Sequence, residues 1–191
     1  MKKLFAKILF VPLIVFYFTK VEKVQSLIPY YYFPTVKNLE KESLSIGRSA
    51  YQLLYFGQYE QSLNLGKLAI KMNKTDEKLW LILAETQVAN KLYQKALNSL
   101  NKAELINPNL SEIYFTKSDV YLKISQLKNA KIALEKGLTI DQNNHNALFQ
   151  LGNILLMEKN YSEAIRYFNE AIIIKPNFWQ AINNKGLAYF E

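Results

Sequence analysis

Glu85 and Asp119 lie 34 residues apart. Where a chain repeats with that period, equivalent residues of neighbouring units face the same way, so the two acids form a carboxylate pair across the stack. Such a pair suits two kinds of work: holding a proton for general acid catalysis, or accepting a basic side chain from a bound peptide. The rest of the sequence favours the second. Catalysis needs a nucleophile, a base or a phosphate cradle beside the acid, and none is spelled out. Cysteine is absent, which removes thiolate chemistry, disulfides and zinc sites built from Cys and His. The single histidine, His145, sits in the polar run Asn143-Asn144-His145-Asn146 and reads as a solvated or helix-capping residue. The six glycines never form G-x-G-x-x-G or G-x-x-x-x-G-K-S/T. No catalytic residue, metal site or cofactor is therefore assigned.

The elements that must position the acids belong to a chain of 191 residues, enough for one domain or one repeat array. Half the residues are apolar, which excludes a disordered or collagen-like chain. The net charge is +8, and half of it lies in residues 1–42, where seven Lys face three Glu. In the body the lysines are scattered, as at Lys91, Lys95, Lys102, Lys123, Lys128 and Lys136, and read as a solvated surface. Nucleic acid is not an expected partner, because tracking phosphates takes a dense basic stripe with stacking aromatics beside it.

Residues 1–26 read as a signal peptide or an N-terminal membrane anchor. Lys2 and Lys3 precede an apolar stretch whose uninterrupted part, Ile8 to Phe18, is 11 residues long. That length suits a secretory signal better than a span of about 20 residues. Val24 and Ser26 fit a cleavage site after Ser26. Basic residues flank the stretch on both sides, so the side of the membrane stays open. The expected location is membrane-associated or exported, in a periplasm or thylakoid. Residues 27–42 read as a linker in which Tyr30 to Phe33 stand between Pro29 and Pro34. The linker either docks on the first helices of the body or lies at a membrane interface.

From Ser43 the chain falls into windows starting at residues 43, 77, 111, 145 and 179. Position 8 of the windows is always small: Ala50, Ala84, Ser118, Gly152 and Gly186. So are position 20 (Ser62, Ala96, Ala130, Ala164) and position 27 (Ala69, Ala103, Gly137, Ala171). Large residues stand between, among them Trp80, Tyr114 and Leu148 at position 4 and Met72, Ile106, Ile140 and Ile174 at position 30. Apolar residues recur at helical spacing on either side of a polar turn such as Glu158-Lys159-Asn160, so each window reads as a helix–turn–helix.

The fourth window, with Leu148, Leu151-Gly152, Ala164, Phe168, Ala171 and Pro176, resembles the tetratricopeptide repeat. The second follows with Trp80, Leu83-Ala84, Ala96, Leu100, Ala103 and Pro108. The first departs at Gly66 and Lys74, and the third at Lys117 and Gln142. The resemblance implies an all-α, right-handed superhelical solenoid. Its four repeats would be residues 43–76, 77–110, 111–144 and 145–178, with 179–191 the first helix of an incomplete fifth. That unfinished repeat raises the expectation of a longer protein.

The resemblance also implies a concave groove lined by the first helix of each repeat, in which a partner polypeptide binds. Mapped onto this sequence, the partner-binding residues are Leu81, Glu85, Phe115, Asp119, Leu122, Phe149, Asn153, Leu156 and Met157. The carboxylate clamp of co-chaperone members is not matched: position 5 is apolar in three repeats, and Ile82 stands where an Arg is needed beside Lys78. With two acids in the groove, an apolar or basic segment is the expected partner. The functional expectation is a non-catalytic interaction scaffold, acting in assembly of a membrane or exported complex. Small proteins of this build in cyanobacteria and plastids, including photosystem I assembly factors, are similar. The alternative is the recognition module of a larger enzyme or secretion component.

Overall fold

The computed structural model describes residues 36–191. The expectations for residues 1–26, and for the linker as far as residue 35, lie outside the described residues. These form helices α1 (Val36–Tyr55), α2 (Tyr59–Met72), α3 (Glu77–Ala89), α4 (Tyr93–Ile106), α5 (Ser111–Lys123), α6 (Leu127–Ile140), α7 (His145–Met157), α8 (Tyr161–Ile174) and α9 (Trp179–Phe190). Consecutive helices pack antiparallel in pairs, α1 on α2 through α7 on α8, and each pair stacks on the next. Among the described residues there is no strand, and no helix is long and apolar enough to cross a membrane.

One boundary differs from the sequence reading. Helix α1 begins at Val36, so residues 36–42 are helical rather than part of a linker that ends at residue 42. The cause is a buried stripe that runs back past Ser43 at helical spacing: Leu39 half-buried, then Ser43, Gly47 and Ala50 buried. The Ser43 hydroxyl donates to the Glu40 carbonyl at 2.7 Å, an intrahelical bond that leaves it unable to start a helix as a cap.

The turns repeat as strictly as the helices. Position 15 of each window has positive φ: Gly57 at 74°, Lys91 at 60°, Ser125 at 59° and Lys159 at 61°. At each, the next residue's N–H donates to the carbonyl five residues back, as Leu92 does to Gln87 and Asn160 to Leu155, both at 2.8 Å. These bonds satisfy the last carbonyls of the first helix and hold Lys and Ser in a conformation that costs about 1 kcal/mol without glycine. Between repeats, position 31 carries Asn73, Asn107 and Asp141, whose side-chain oxygens accept from the backbone N–H two residues on. That turn forms without proline in the first and third windows, where Lys74 and Gln142 occupy the family's proline position.

The small columns are the contact surface. Every residue at positions 8, 20 and 27 in the first four windows is buried. A methyl group on Gly152 would lie 2.6 Å from the Phe168 ring, and one on Gly137 would lie 2.4 Å from the ring of Phe115. On α9 the equivalent Gly186 has nothing within 4 Å. The large column at position 30 is less enclosed than its apolar character implies: Ile106, Ile140 and Ile174 stay 38% to 40% exposed.

Lys117 takes the position where a Leu packs in the neighbouring windows, and it is buried. Its ammonium meets the Glu104 carboxylate, which Lys136 also approaches at 2.7 Å. Lys136 lies 4.6 Å from the centroid of the Tyr114 ring, whose hydroxyl donates to the Pro108 carbonyl at 2.8 Å. Burial alone would raise the Glu104 carboxyl, but the hydrogen bonds from Lys117 and Lys136 bring it down to about 2. The second and third repeats are thus joined by an ion cluster as well as by apolar packing.

Two outcomes are expected. Gly152→Ala forces the Phe168 ring to shift and lowers stability by about 1–3 kcal/mol, whereas Gly186→Ala gains about 0.5–1 kcal/mol of helix propensity; thermal melts of the two variants check this. Glu104→Gln strands buried Lys117 and costs about 3 kcal/mol, while Lys117→Leu leaves Glu104 paired with Lys136 and stays within about 1 kcal/mol of the parent. Because the folded-state value of Glu104 is depressed, its contribution is full above pH 4.5 and is lost as pH falls toward about 2. An acid titration of the melting temperature of the Glu104 variant against the parent reads that window.

Candidate functional site

Stacking places the first helices of successive pairs, α1, α3, α5, α7 and α9, side by side along one face. A helix N-terminus fixes where each lateral series begins. Asp76 caps α3 by accepting from Lys78 N at 2.8 Å and Leu79 N at 3.1 Å, and Asn144 caps α7 by accepting from Ala147 N at 3.1 Å. Three depressions open between these helices. The first, about 530 Å³, is lined by the apolar Leu81 and Ile82 of α3 and Leu110, by the acids Glu85 and Glu112, and by the cations Arg48 and Lys78. The second, about 470 Å³, includes Phe115, Asp119 and Phe149. The third, about 520 Å³, includes Leu122, Asn153 and Met157.

The predicted residues divide by packing. Met157 is 68% exposed. The rings of Phe115 and Phe149 are only half-buried, and each has one side in the core: Phe115 against the Gly137 backbone, Phe149 with ring centroids 5.0 Å from Phe178 and 5.9 Å from Phe168. They form the floor of a depression, not projecting anchors. Leu122 and Leu156 are half-buried against the same core, and Leu81 packs in the same way against the core of the second repeat.

The polar residues form a ladder. Gln150 of α7 donates to the Asp119 carboxylate of α5 at 2.9 Å, and Asn184 of α9 donates to the Asn153 carbonyl of α7 at 2.7 Å. Both bonds run from position 6 of one repeat to position 9 of the preceding one. The rung below is open. Position 6 is there Thr116, whose hydroxyl donates instead to the Glu112 backbone carbonyl at 2.8 Å. Glu85, at position 9, accepts no hydrogen bond among the described residues. Burial first, then the charges of Asp119 and Glu112, push its carboxyl up to about 7. Asp119 is raised as well, chiefly by burial, with the Gln150 bond and Lys123 pulling the other way.

Sequence reasoning assigned positions 2, 5, 9, 12 and 13 to this face and left out position 6. Gln150 and Asn184 are polar residues repeated at the 34-residue period, each 31 residues after the acid or amide it bonds, and that offset is the signal that identifies them. It also passed over Arg48 and Glu112, whose place beside Glu85 depends on how α1 and α5 flank α3. Among the described residues no three His, Cys, Asp or Glu side chains gather in a metal-holding group.

Residues 111–144 and 145–178 each match the sequence profile of the tetratricopeptide repeat. A BBSome complex member, the BBS4 homolog of Drosophila melanogaster, is 26% identical over 135 residues, covering 70% of this chain and 28% of its own length. The chain spans less than a third of the curated relatives it matches. Among solved structures, MamA superposes with a TM-score of 0.69 at 22% identity, covering 80% of this chain and 82% of that one. YrrB, described as a tetratricopeptide protein with an unusual peptide-binding site, superposes with a TM-score of 0.64 at 20% identity over 82% of both chains. The described residues therefore have the all-α tetratricopeptide fold.

A raised acid binds its proton more tightly in the folded protein, so Glu85 lowers stability progressively as pH rises from 4.5 to about 7. Carbon-detected titration of Glu85 is expected to give a midpoint near 7, and Asp119→Asn is expected to lower it. Glu85→Gln should raise the melting temperature at pH 8 and change it little at pH 4.

Proposed function

We propose that this protein is a non-catalytic scaffold that holds a partner polypeptide on the face formed by α1, α3, α5, α7 and α9. The observation that carries the reading is the run of depressions along that face, each combining an apolar floor with polar side chains. Tetratricopeptide arrays serve as protein-interaction scaffolds. YrrB is described by a peptide-binding site and the Drosophila relative as a member of a complex, which supports a place for this chain in an assembly.

The segment over residues 1–26 adds a direction to that role: the chain is sent to or across a membrane, in a periplasm or thylakoid. Its work there is assembly of a membrane or exported complex, with assembly of photosystem I as its narrowest form. A second reading, a recognition module within a larger enzyme or secretion component, is favoured by the small share of its relatives' length that the chain spans.

A photo-crosslinking residue placed at Met157, an open position of the face, tests the first reading in the native host. One dominant partner identified by mass spectrometry is expected, and its yield falls at least about tenfold when the crosslinker is moved to Lys136. Equal capture at both positions would remove the face from the mechanism. The mass of the native chain in the same sample separates the readings, since a chain far heavier than 191 residues account for supports the second.

A further inference from the structure

We infer that the depression between α1, α3 and α5 takes a polypeptide segment of two charges: a basic side chain seated at Glu85 and Glu112, and an acidic one seated at Arg48 and Lys78. This rests on the reading of the face as a polypeptide groove and specifies what enters one part of it. The argument is charge complementarity. Arg48, Lys78, Glu85 and Glu112 line a single depression of about 530 Å³. Among the described residues, not one of the four is in an ion pair. The other charges that pair do so within the helical scaffold, at Glu104, Glu158 and Glu170.

The charges are sorted along the array. The cations come from α1 and the first turn of α3, and the acids from the third turn of α3 and the start of α5, with the apolar Leu81, Ile82 and Leu110 among them. A uniformly basic segment meets repulsion at Arg48 and Lys78, and a uniformly acidic one meets it at Glu85 and Glu112. An apolar segment leaves all four charges without partners in a space it has partly closed to water. Only a segment carrying both signs satisfies both ends. Neighbouring helices stand about 8–10 Å apart, so the two ends are roughly 10–20 Å from one another. An extended chain covers that in about three to six residues.

The open rung of the ladder gives the basic end its geometry. At the next two boundaries an amide side chain from the following repeat donates to the position 9 side chain, and among the described residues none does so at Glu85. A lysine or arginine from the partner supplies the missing donor, and with it a charge between Glu85, Asp119 and Glu112 that relieves their mutual repulsion.

The test is a bead-displayed peptide library randomised over Lys, Asp, Leu, Tyr and Ala, panned against the full 191-residue chain and read by sequencing. Enriched sequences are expected to hold one Lys and one Asp about three to six residues apart. Glu85→Gln should cut the selection for Lys about fivefold and leave that for Asp, and Arg48→Gln with Lys78→Gln should do the reverse. Enrichment of apolar or single-sign sequences, or selection that the variants leave unchanged, overturns the inference and leaves the groove reading standing. No enrichment of any sequence by the parent chain overturns both.

Discussion

A pair of helices of this length cannot bury its own apolar side, and the whole of residues 36–191 follows from how closely successive helices must approach to bury it together. Closeness is set by the small residues at positions 8, 20 and 27, where a single added methyl group at Gly152 or Gly137 would collide with an aromatic ring. The aromatic ring is the complement of the missing methyl group: Phe168 reaches the Gly152 backbone because nothing projects between them. In the fourth window shape is thus specified twice, once by what is absent at position 8 and once by what fills position 24. The other features, including turn geometry and capping, adjust a stack whose spacing is already decided.

That spacing has an electrostatic consequence. Stacking at a constant interval brings equivalent positions of neighbouring repeats into register, so acids at position 9 are forced together whether or not their charges agree. The third repeat resolves this with Gln150, which donates to Asp119, and the fourth avoids it by using Asn153, which Asn184 satisfies. The second repeat does neither. Glu85 holds a carboxyl pushed up to about 7 by burial and by its acidic neighbours, while the next two rungs are closed.

Much of this was legible in the sequence because the fold is periodic. Five windows at one spacing identify the small columns, the helix pairs and the face on which positions 5 and 9 stand, and the described helices follow them. The start of the array was not legible: Ser43 looks like an entry into a helix, but the stripe that buries Ser43 itself already runs through Leu39. The role of Phe115 and Phe149 was half legible. Their register puts them on the face of the first helices, whereas the partner rings and the Gly137 backbone that hold them there belong to other helices. Arg48 and Glu112 were not legible as neighbours of Glu85, since a window read in isolation says which side a residue faces and not which charge the flanking helix brings beside it.

Two departures from the repeat pattern show why an unsatisfied group on the face differs in meaning from one in the core. Lys117 puts a charge where the pattern asks for Leu, and the structure answers it fully, with Glu104 in contact and Lys136 and Tyr114 around it. Ser118 puts a hydroxyl in a small apolar column and leaves its oxygen buried with no hydrogen-bond partner among the described residues, a cost of about 1–3 kcal/mol that no ligand can recover, because the site is closed. Glu85 is unsatisfied as well, but it opens onto a depression. A buried orphan is only a loss of stability. An orphan at the wall of a groove is a loss that a donor from a bound segment would reverse, and such binding would stabilise the second and third repeats.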